Sequence, residues 1–209
     1  MSITGEIVEL AAVPLHPLAT HLREKHIQMK GSEELANRRF PKYEWQRLSH
    51  VLGKLRPGQR CLEVGPGRCY LTTMMKRAGL YSSISAIDIV PRRSLPGSVD
   101  FRIMSVAEMD FETNAFDTVL CMEVLEHLQD DHFESALSEL RRVCRGQLIV
   151  TLPYKEPIPL PAYHLQAFDE ERIQRLFPQG RKSLLLKDPV TRVPWILVEE
   201  AHGEAAPRA

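Results

Sequence analysis

The stretch Cys61-Leu62-Glu63-Val64-Gly65-Pro66-Gly67-Arg68-Cys69 decides how this chain is read. A short apolar run, Arg60 to Val64, ends in two glycines, and a helical pattern, Leu71 to Ala78, begins directly after them with Gly79 as its stop. Glycine lets a ligand approach the backbone closely, and the first turn of the following helix offers N–H groups without intrahelical partners. On its own the pair of glycines also suits a purely structural tight turn. What surrounds it decides between the two.

Downstream, strand and helix signals alternate. Tyr81 to Ile87 reads as a strand ending at Asp88, Val99 to Met104 as a third, and Phe116 to Met122 as a fourth ending at Glu123. A helix follows with Phe133, Leu137, Leu140 and Cys144 on one face, Asp130 or Asp131 as N-cap and Gly146 after it. Gln147 to Leu152 is a fifth strand. Asp169 caps another helix, with Phe168 placed to staple Ile173. Ser183 to Lys187 and Trp195 to Glu199, separated by Asp188-Pro189 and Pro194, read as an antiparallel pair. Upstream, Trp45, Leu48, Val51, Leu52 and Leu55 recur at helical spacing until Pro57-Gly58. Residues 1–40 look irregular, and the tail from Ala201 looks frayed. The expected fold is α/β: a Rossmann-like, seven-stranded, mostly parallel sheet with an antiparallel C-terminal strand pair and helices on both faces. The expected organisation is a lid at 1–45, a ligand-binding domain at 46–200 and a flexible tail at 201–209.

Composition narrows the function classes. The 209 residues carry 27 Lys+Arg and 27 Asp+Glu, so zero net charge removes the general electrostatic case for nucleic-acid binding. Hydrophobic residues at 44% against 26% charged are ordinary for a globular domain. No apolar run approaches the ~18 residues of a membrane-spanning helix. Glu6 and Glu9 stand where a secretory signal would carry basic residues. Cys61, Cys69, Cys121 and Cys144 form no CxxC pair and read as reduced, packed thiols, which fits a cytoplasmic protein.

In sheets of this kind ligands sit outside the carboxyl ends of the strands. Asp88 follows Gly65 by 23 residues at such an end, where a carboxylate can accept hydrogen bonds from both hydroxyls of a ribose. A dinucleotide fingerprint needs a third glycine where Tyr70 stands, which disfavours a nicotinamide oxidoreductase. Glu63, just before the turn, disfavours a phosphate and favours a cation such as a sulfonium bearing an ammonium group.

These segments resemble the class I S-adenosylmethionine-dependent methyltransferases, in the subgroup that includes ubiquinone-biosynthesis O-methyltransferases, over roughly Tyr43 to Glu200. Leu62-Glu63-Val64-Gly65-Pro66-Gly67 is similar to the family's cofactor loop, Ala86-Ile87-Asp88-Ile89 to its ribose-binding strand end, and Ser105-Val106-Ala107-Glu108 to the segment that brackets adenine. Phe116 to Leu128 resembles the next strand and the start of its helix, and Leu148 to Tyr154 the following strand with its substrate-side loop. The resemblance implies S-adenosyl-L-methionine as cofactor, lined by Glu63, Gly65, Gly67, Asp88, Ile89, Val106, Ala107 and Met122. Three departures stand out. Cys69 occupies the loop's third small position, Val106 replaces the acid that many members turn toward adenine, and the proline-rich link from Asp88 to Val99 leaves little room for a helix.

Methyl transfer from a sulfonium is an in-line displacement, so the protein must align the acceptor and manage its proton. Glu123, Glu126 and His127, at i, i+3 and i+4, are expected on one helix face beside the methyl position. His127 and Glu123 are the candidate catalytic residues. In related ubiquinone-pathway and small-RNA 3′-terminal 2′-O-methyltransferases a matching Glu-x-x-Glu-His binds a divalent metal. The resemblance therefore implies Glu123, Glu126 and His127 as ligands, with His164 as a counterpart of a further histidine. Magnesium or manganese suits the carboxylates, and the imidazoles tilt toward manganese, iron or zinc. Without metal, His127 as a general base and a plainly structural role both stay open. Residues 1–45 are expected to exclude water from the site. His26, Arg38, Arg39 and Tyr43 are candidates for cofactor or substrate contact, although a solvated helix face suits the arginines as well. Pro157, Pro159 and Pro161 with Tyr154 and Tyr163 suggest a stiff aromatic substrate loop. The expected activity is O-methylation of a small-molecule hydroxyl. Methylation of an RNA 3′ end and a non-catalytic cofactor-binding module remain as alternatives, and oligomeric state is not legible.

Overall fold

The computed structural model describes residues 5–92, 95–187 and 193–203. In chain order its elements are β1 (Glu6–Glu9), α1 (Pro17–Lys30), α2 (Glu33–Arg39), α3 (Lys42–Lys54), β2 (Gly58–Val64), α4 (Tyr70–Ala78), β3 (Tyr81–Asp88), β4 (Asp100–Ile103), β5 (Phe116–Met122), α5 (Asp130–Val143), β6 (Cys144–Pro153), α6 (Glu170–Leu176), β7 (Arg181–Leu186) and β8 (Trp195–Ala201). The strands form one sheet in the order β1-β7-β8-β6-β5-β2-β3-β4. β8 runs antiparallel to both neighbours, β6 and β7, and every other pairing is parallel.

The central strands are apolar on both faces because helices cover both. Leu62, Val64, Val119, Cys121, Leu148 and Val150 pack with Phe133, Leu137, Phe168 and Ile173 from the α5 and α6 side. The alternate residues Cys61, Leu120 and Ile149 pack with Trp45, Leu48, Leu71 and Met74 from the α3 and α4 side. The chain moves outward from β2 through β3 to β4 and then returns to place β5 on the other flank of β2. That reversal is the topological switch point at which such sheets bind ligands. Register aligns Val64 with Ile87 and with Cys121, so Gly65, Asp88 and Met122 emerge together on one rim.

Several expectations need correction. The sheet has eight strands, not seven, because Glu6–Glu9 adds a parallel edge strand to β7. Residues 5–40 are ordered into β1, a 3-10 turn at Leu10–Ala12, α1 and α2 rather than irregular. α1 escaped the periodicity test because its buried residues are only Ala19, Leu22 and His26. Cys144 opens β6 instead of completing the apolar face of α5, and the N-cap of α5 is Gln129. The Asp188-Pro189 break and the tail beyond Gly203 lie outside the described residues. The four cysteines are buried and unpaired with one another. No helix among the described residues is long and apolar enough to cross a membrane.

Candidate active site

One side of the rim is built mainly from backbone. Gly65, Gly67 and Cys69 all hold left-handed φ values, +63°, +52° and +59°, so the turn between β2 and α4 curls back on itself. A Cβ on Gly65 would come within 2.5 Å of Val124 Cγ2, and its φ of +63° is one that side chains rarely adopt, so both favour glycine there. The conformation of Cys69 shows why a small residue suits the third loop position. Glu63 lies under the turn, almost fully buried, and accepts a hydrogen bond from the Thr72 hydroxyl. Burial pushes its carboxyl up to about 7.

Asp88, at the end of β3, is also buried. Its Oδ1 accepts from the Val90 N–H at 3.2 Å, and its Oδ2 accepts from Arg92 Nε at 2.7 Å, with Arg92 Nη2 at 2.5 Å. Ile89 is exposed, Val106 is buried, and Met122 is half-buried. The Ala107 N–H donates to Ser105 Oγ at 3.2 Å. The link between Asp88 and Val99 holds no helix among its described residues.

The other side is built from side chains. Glu123 ends β5 with φ +55°, and its N–H donates to the Thr151 carbonyl at 3.0 Å. Its carboxylate accepts from Thr151 Oγ1 at 3.1 Å and from Trp195 Nε1, with Arg47 Nη1 at 3.4 Å. Arg47 also pairs with Glu44 at 2.7 Å, and its guanidinium lies 4.1 Å from the centre of the Trp195 ring. Burial raises the Glu123 carboxyl, and Arg47 and Lys187 oppose that rise.

Leu125–His127 then forms a single 3-10 turn, and α5 does not begin until Asp130. The expectation that Glu123, Glu126 and His127 share a helix face is therefore overturned: the left-handed residue and the tight turn send them in different directions. Glu126 is 1% exposed, whereas the His127 side chain is 42% exposed. Glu126 Oε2 is buried with no hydrogen-bond partner. Burial first, and the nearby Glu123 charge second, push its carboxyl up to about 9.

Backbone bonds bring the loop after β6 to this turn. Leu165 and Gln166 donate their N–H groups to the Glu126 carbonyl at 2.7 and 3.1 Å. His127 Nδ1 donates to the Tyr163 carbonyl at 2.8 Å, and His164 Nδ1 donates to Glu156 Oε2 at 2.7 Å. A carbonyl can only accept, so the neutral His127 carries its proton on Nδ1, the tautomer that leaves Nε2 as the acceptor. The Glu156 carboxylate favours the same tautomer for His164. The structure thus brings together three of the four residues expected to ligate a metal: donor atoms of Glu126, His127 and His164 all lie within 4.8 Å of one another. Glu123 stands apart in its own network.

Sequence reasoning did not single out Glu156, Arg47, Thr151 or Trp195; only Thr151 lies in a segment noted for its resemblance, Leu148 to Tyr154. Of the N-terminal candidates, His26 is buried, bonding the Tyr70 hydroxyl at 2.8 Å and the Ala36 carbonyl at 3.3 Å. Arg38 pairs with Glu34 on an exposed face, and the Tyr43 ring lies 5.8 Å from that of Trp195.

Residues 62–150 match the family profile of a methyltransferase domain. Over 151 residues the chain is 33% identical to a ubiquinone biosynthesis O-methyltransferase of Xanthomonas axonopodis pv. citri, an overlap covering 64% of this chain. Over this region the chain is similar to methyltransferases. It spans 59% of the length of that relative. Among solved structures, a Burkholderia thailandensis 1,6-didemethyltoxoflavin-N1-methyltransferase with bound 1,6-didemethyltoxoflavin and S-adenosylhomocysteine superposes with TM-score 0.61 and 19% identity, covering 91% of each chain. The cyclase SpnF superposes with TM-score 0.62 and 14% identity, covering 98% of this chain and 99% of its own. A methyltransferase and a cyclase on one scaffold show that this fold leaves the reaction to the site.

Proposed function

We propose that this chain transfers the methyl group of S-adenosyl-L-methionine to a hydroxyl oxygen of a small-molecule acceptor. The observation that carries the acceptor half is the buried Glu126 carboxylate, with one oxygen unpartnered, beside two imidazoles whose Nδ1 atoms are both engaged. A buried orphan oxygen is unfavourable unless something completes it. One carboxylate and two oriented imidazoles fit a divalent cation, manganese, iron or zinc better than magnesium, and the Tyr163 carbonyl and Glu156 carboxylate are the outer partners that such histidines need. Bound there, a cation supplies Lewis acidity that lowers the pKa of an acceptor hydroxyl.

The remaining work falls to the chain itself. Glu63, Gly65, Gly67, Asp88, Ile89, Val106, Ala107 and Met122 line the cofactor side of the rim. With Val106 in place of an acid, adenine would be met by backbone groups of Val106 and Ala107. The Glu123 carboxylate is engaged on both oxygens, so proton uptake in the absence of a cation passes to His127 Nε2. Residues 5–45 serve as the cap, through α1 packed on α3 and α4. Four unpaired buried thiols suit a reducing compartment such as the cytoplasm. A second reading, methylation at an RNA 3′ end, draws on the approach of His164 to Glu126 and His127, and the zero net charge weighs against it.

Calorimetric titration of S-adenosylhomocysteine into metal-stripped protein, with and without Mn²⁺, tests the proposal. The expected result is micromolar cofactor binding, plus a Mn²⁺ heat that disappears in Glu126→Ala while cofactor binding stays. No cofactor binding in either condition overturns the transferase reading. Cofactor binding without any Mn²⁺ heat overturns the metal and leaves His127 as the base.

A further inference from the structure

A cavity of about 510 Å³ opens between α1 and the start of α4. Its lining includes Lys30 from the last turn of α1, Arg68 from the glycine turn and Arg92 from the loop after β3, and no carboxylate. Neither Lys30 nor Arg68 has an ion-pair partner among the described residues. Arg92 does: it holds the buried Asp88 carboxylate at 2.5 Å. The cavity therefore gathers three cations at the edge of the rim, and one of them is committed to the acid that the family turns toward the cofactor's ribose.

Two physical consequences meet here. Three positive charges around one cavity repel one another, which favours entry of an anion. The wall feels that field: the buried His26 imidazole is held below its usual pKa by burial first, and by Arg68 and Lys30 after it. Second, the Arg92 guanidinium occupies Asp88 Oδ2, one of the oxygens a ribose diol would need. An incoming ribose that takes Oδ2 must displace Arg92, and a displaced Arg92 borders a cavity whose other charged residues, Lys30 and Arg68, are cations as well.

We propose that this cavity is a binding site for a phosphate-type anion, held by Lys30, Arg68 and Arg92, and that its occupation releases Asp88 to receive the cofactor's ribose. The first half stands on the cavity alone; the second rests on the cofactor reading given above. The anion draws Arg92 away from Asp88 and neutralises the cluster, while the cofactor, by taking Asp88, frees Arg92 for the anion. The coupling is reciprocal, since each ligand must favour the other by the same factor. Free inorganic phosphate and a phosphate carried on an organic molecule share the chemistry that the three cations recognise.

The experiment is a calorimetric titration at fixed ionic strength, so that general screening is constant. Inorganic phosphate and glycerol 3-phosphate are titrated separately into the wild-type protein and into a Lys30→Ala/Arg68→Ala variant, whose substitutions lie on exposed positions. S-Adenosylhomocysteine is then titrated with and without each anion. The expected result is anion binding in wild type that is lost in the double variant, and cofactor affinity raised roughly fivefold or more by the anion. A response to both anions assigns the site to free phosphate, and a response to the ester alone assigns it to a phosphorylated organic ligand. Arg92→Ala is expected to bind cofactor more tightly than wild type and to ignore the anion. Absence of anion binding in wild type, or equal binding in the double variant, overturns the site. Anion binding that leaves cofactor affinity unchanged or weakens it overturns the coupling. If the anion binds and the cofactor does not, the cofactor reading fails and the anion site survives.

Discussion

The two sides of the strand-end rim solve the same problem with different materials. On the side proposed for the cofactor, the turn after β2 places three left-handed residues, Gly65, Gly67 and Cys69, at alternate positions within a stretch of five. Its shape is set by backbone conformation and steric limits. On the side proposed for the acceptor, Glu123 is held by Arg47, Thr151 and Trp195, His127 by the Tyr163 carbonyl, and Glu126 by the backbone of Leu165 and Gln166, all far away in sequence. Charge burial dominates there, with Glu126 lifted to about 9 and Glu123 raised as well. A turn with the proposed role of cradling one fixed cofactor can be written locally. A pocket with the proposed role of orienting an acceptor and managing its proton needs groups converging from several elements.

Gly65→Ala should break both sides at once. Its new Cβ meets Val124, the residue between Glu123 and the 3-10 turn, and the left-handed backbone itself penalises a side chain. We expect a loss of about 1–3 kcal/mol in stability by denaturant unfolding. Cofactor affinity should fall at least roughly tenfold, equivalent to about 1.4 kcal/mol. Cofactor affinity equal to wild type would refute the close packing of the two sides. Glu156→Gln should break the acceptor side alone. It removes the anionic partner of His164 Nδ1, and Mn²⁺ affinity should fall roughly 10- to 100-fold while S-adenosylhomocysteine affinity stays unchanged. A parallel fall in both titrations would mean that the sides are not separable. Cys69→Gly should break neither. Relief of left-handed strain opposes the lost burial of the thiol and the added freedom of the unfolded chain, so the stability change should stay within about 1 kcal/mol. A larger loss would show that the thiol packs more firmly than its position at the turn suggests.

This division also explains what the sequence made legible. Strand ends, glycine turn and Asp88 were readable because short, contiguous patterns determine them. The antiparallel pair was readable because Pro194 interrupts two apolar runs. α1 was not, since Ala19, Leu22 and His26 form too thin an apolar face to stand out among its charged residues. β1 was hidden by its four-residue length and by glutamates at both ends. The Glu123–His127 segment misled for a different reason. Its spacing suits a helix, yet Glu123 takes up a left-handed conformation bound to Thr151, Trp195 and Arg47, contacts that no local pattern announces. His164 was identifiable as a candidate, while its partner Glu156 was not, because one glutamate in a proline-rich loop carries no signal of its own.

The edge strand has a consequence in time. Glu6 to Glu9 pair with Ser183 to Leu186, and the Glu6 and Ser183 side chains are bonded across 177 residues of chain. During synthesis β1 must wait, unpaired, until β7 has left the ribosome. The interior strands β2, β3 and β5 can join much earlier, since their separations are short and the loop-closure entropy they must overcome is smaller. Glu6 to Glu9 are thus among the last residues of this sheet to find their place, and β1 acts as a latch that closes only once β7 is present.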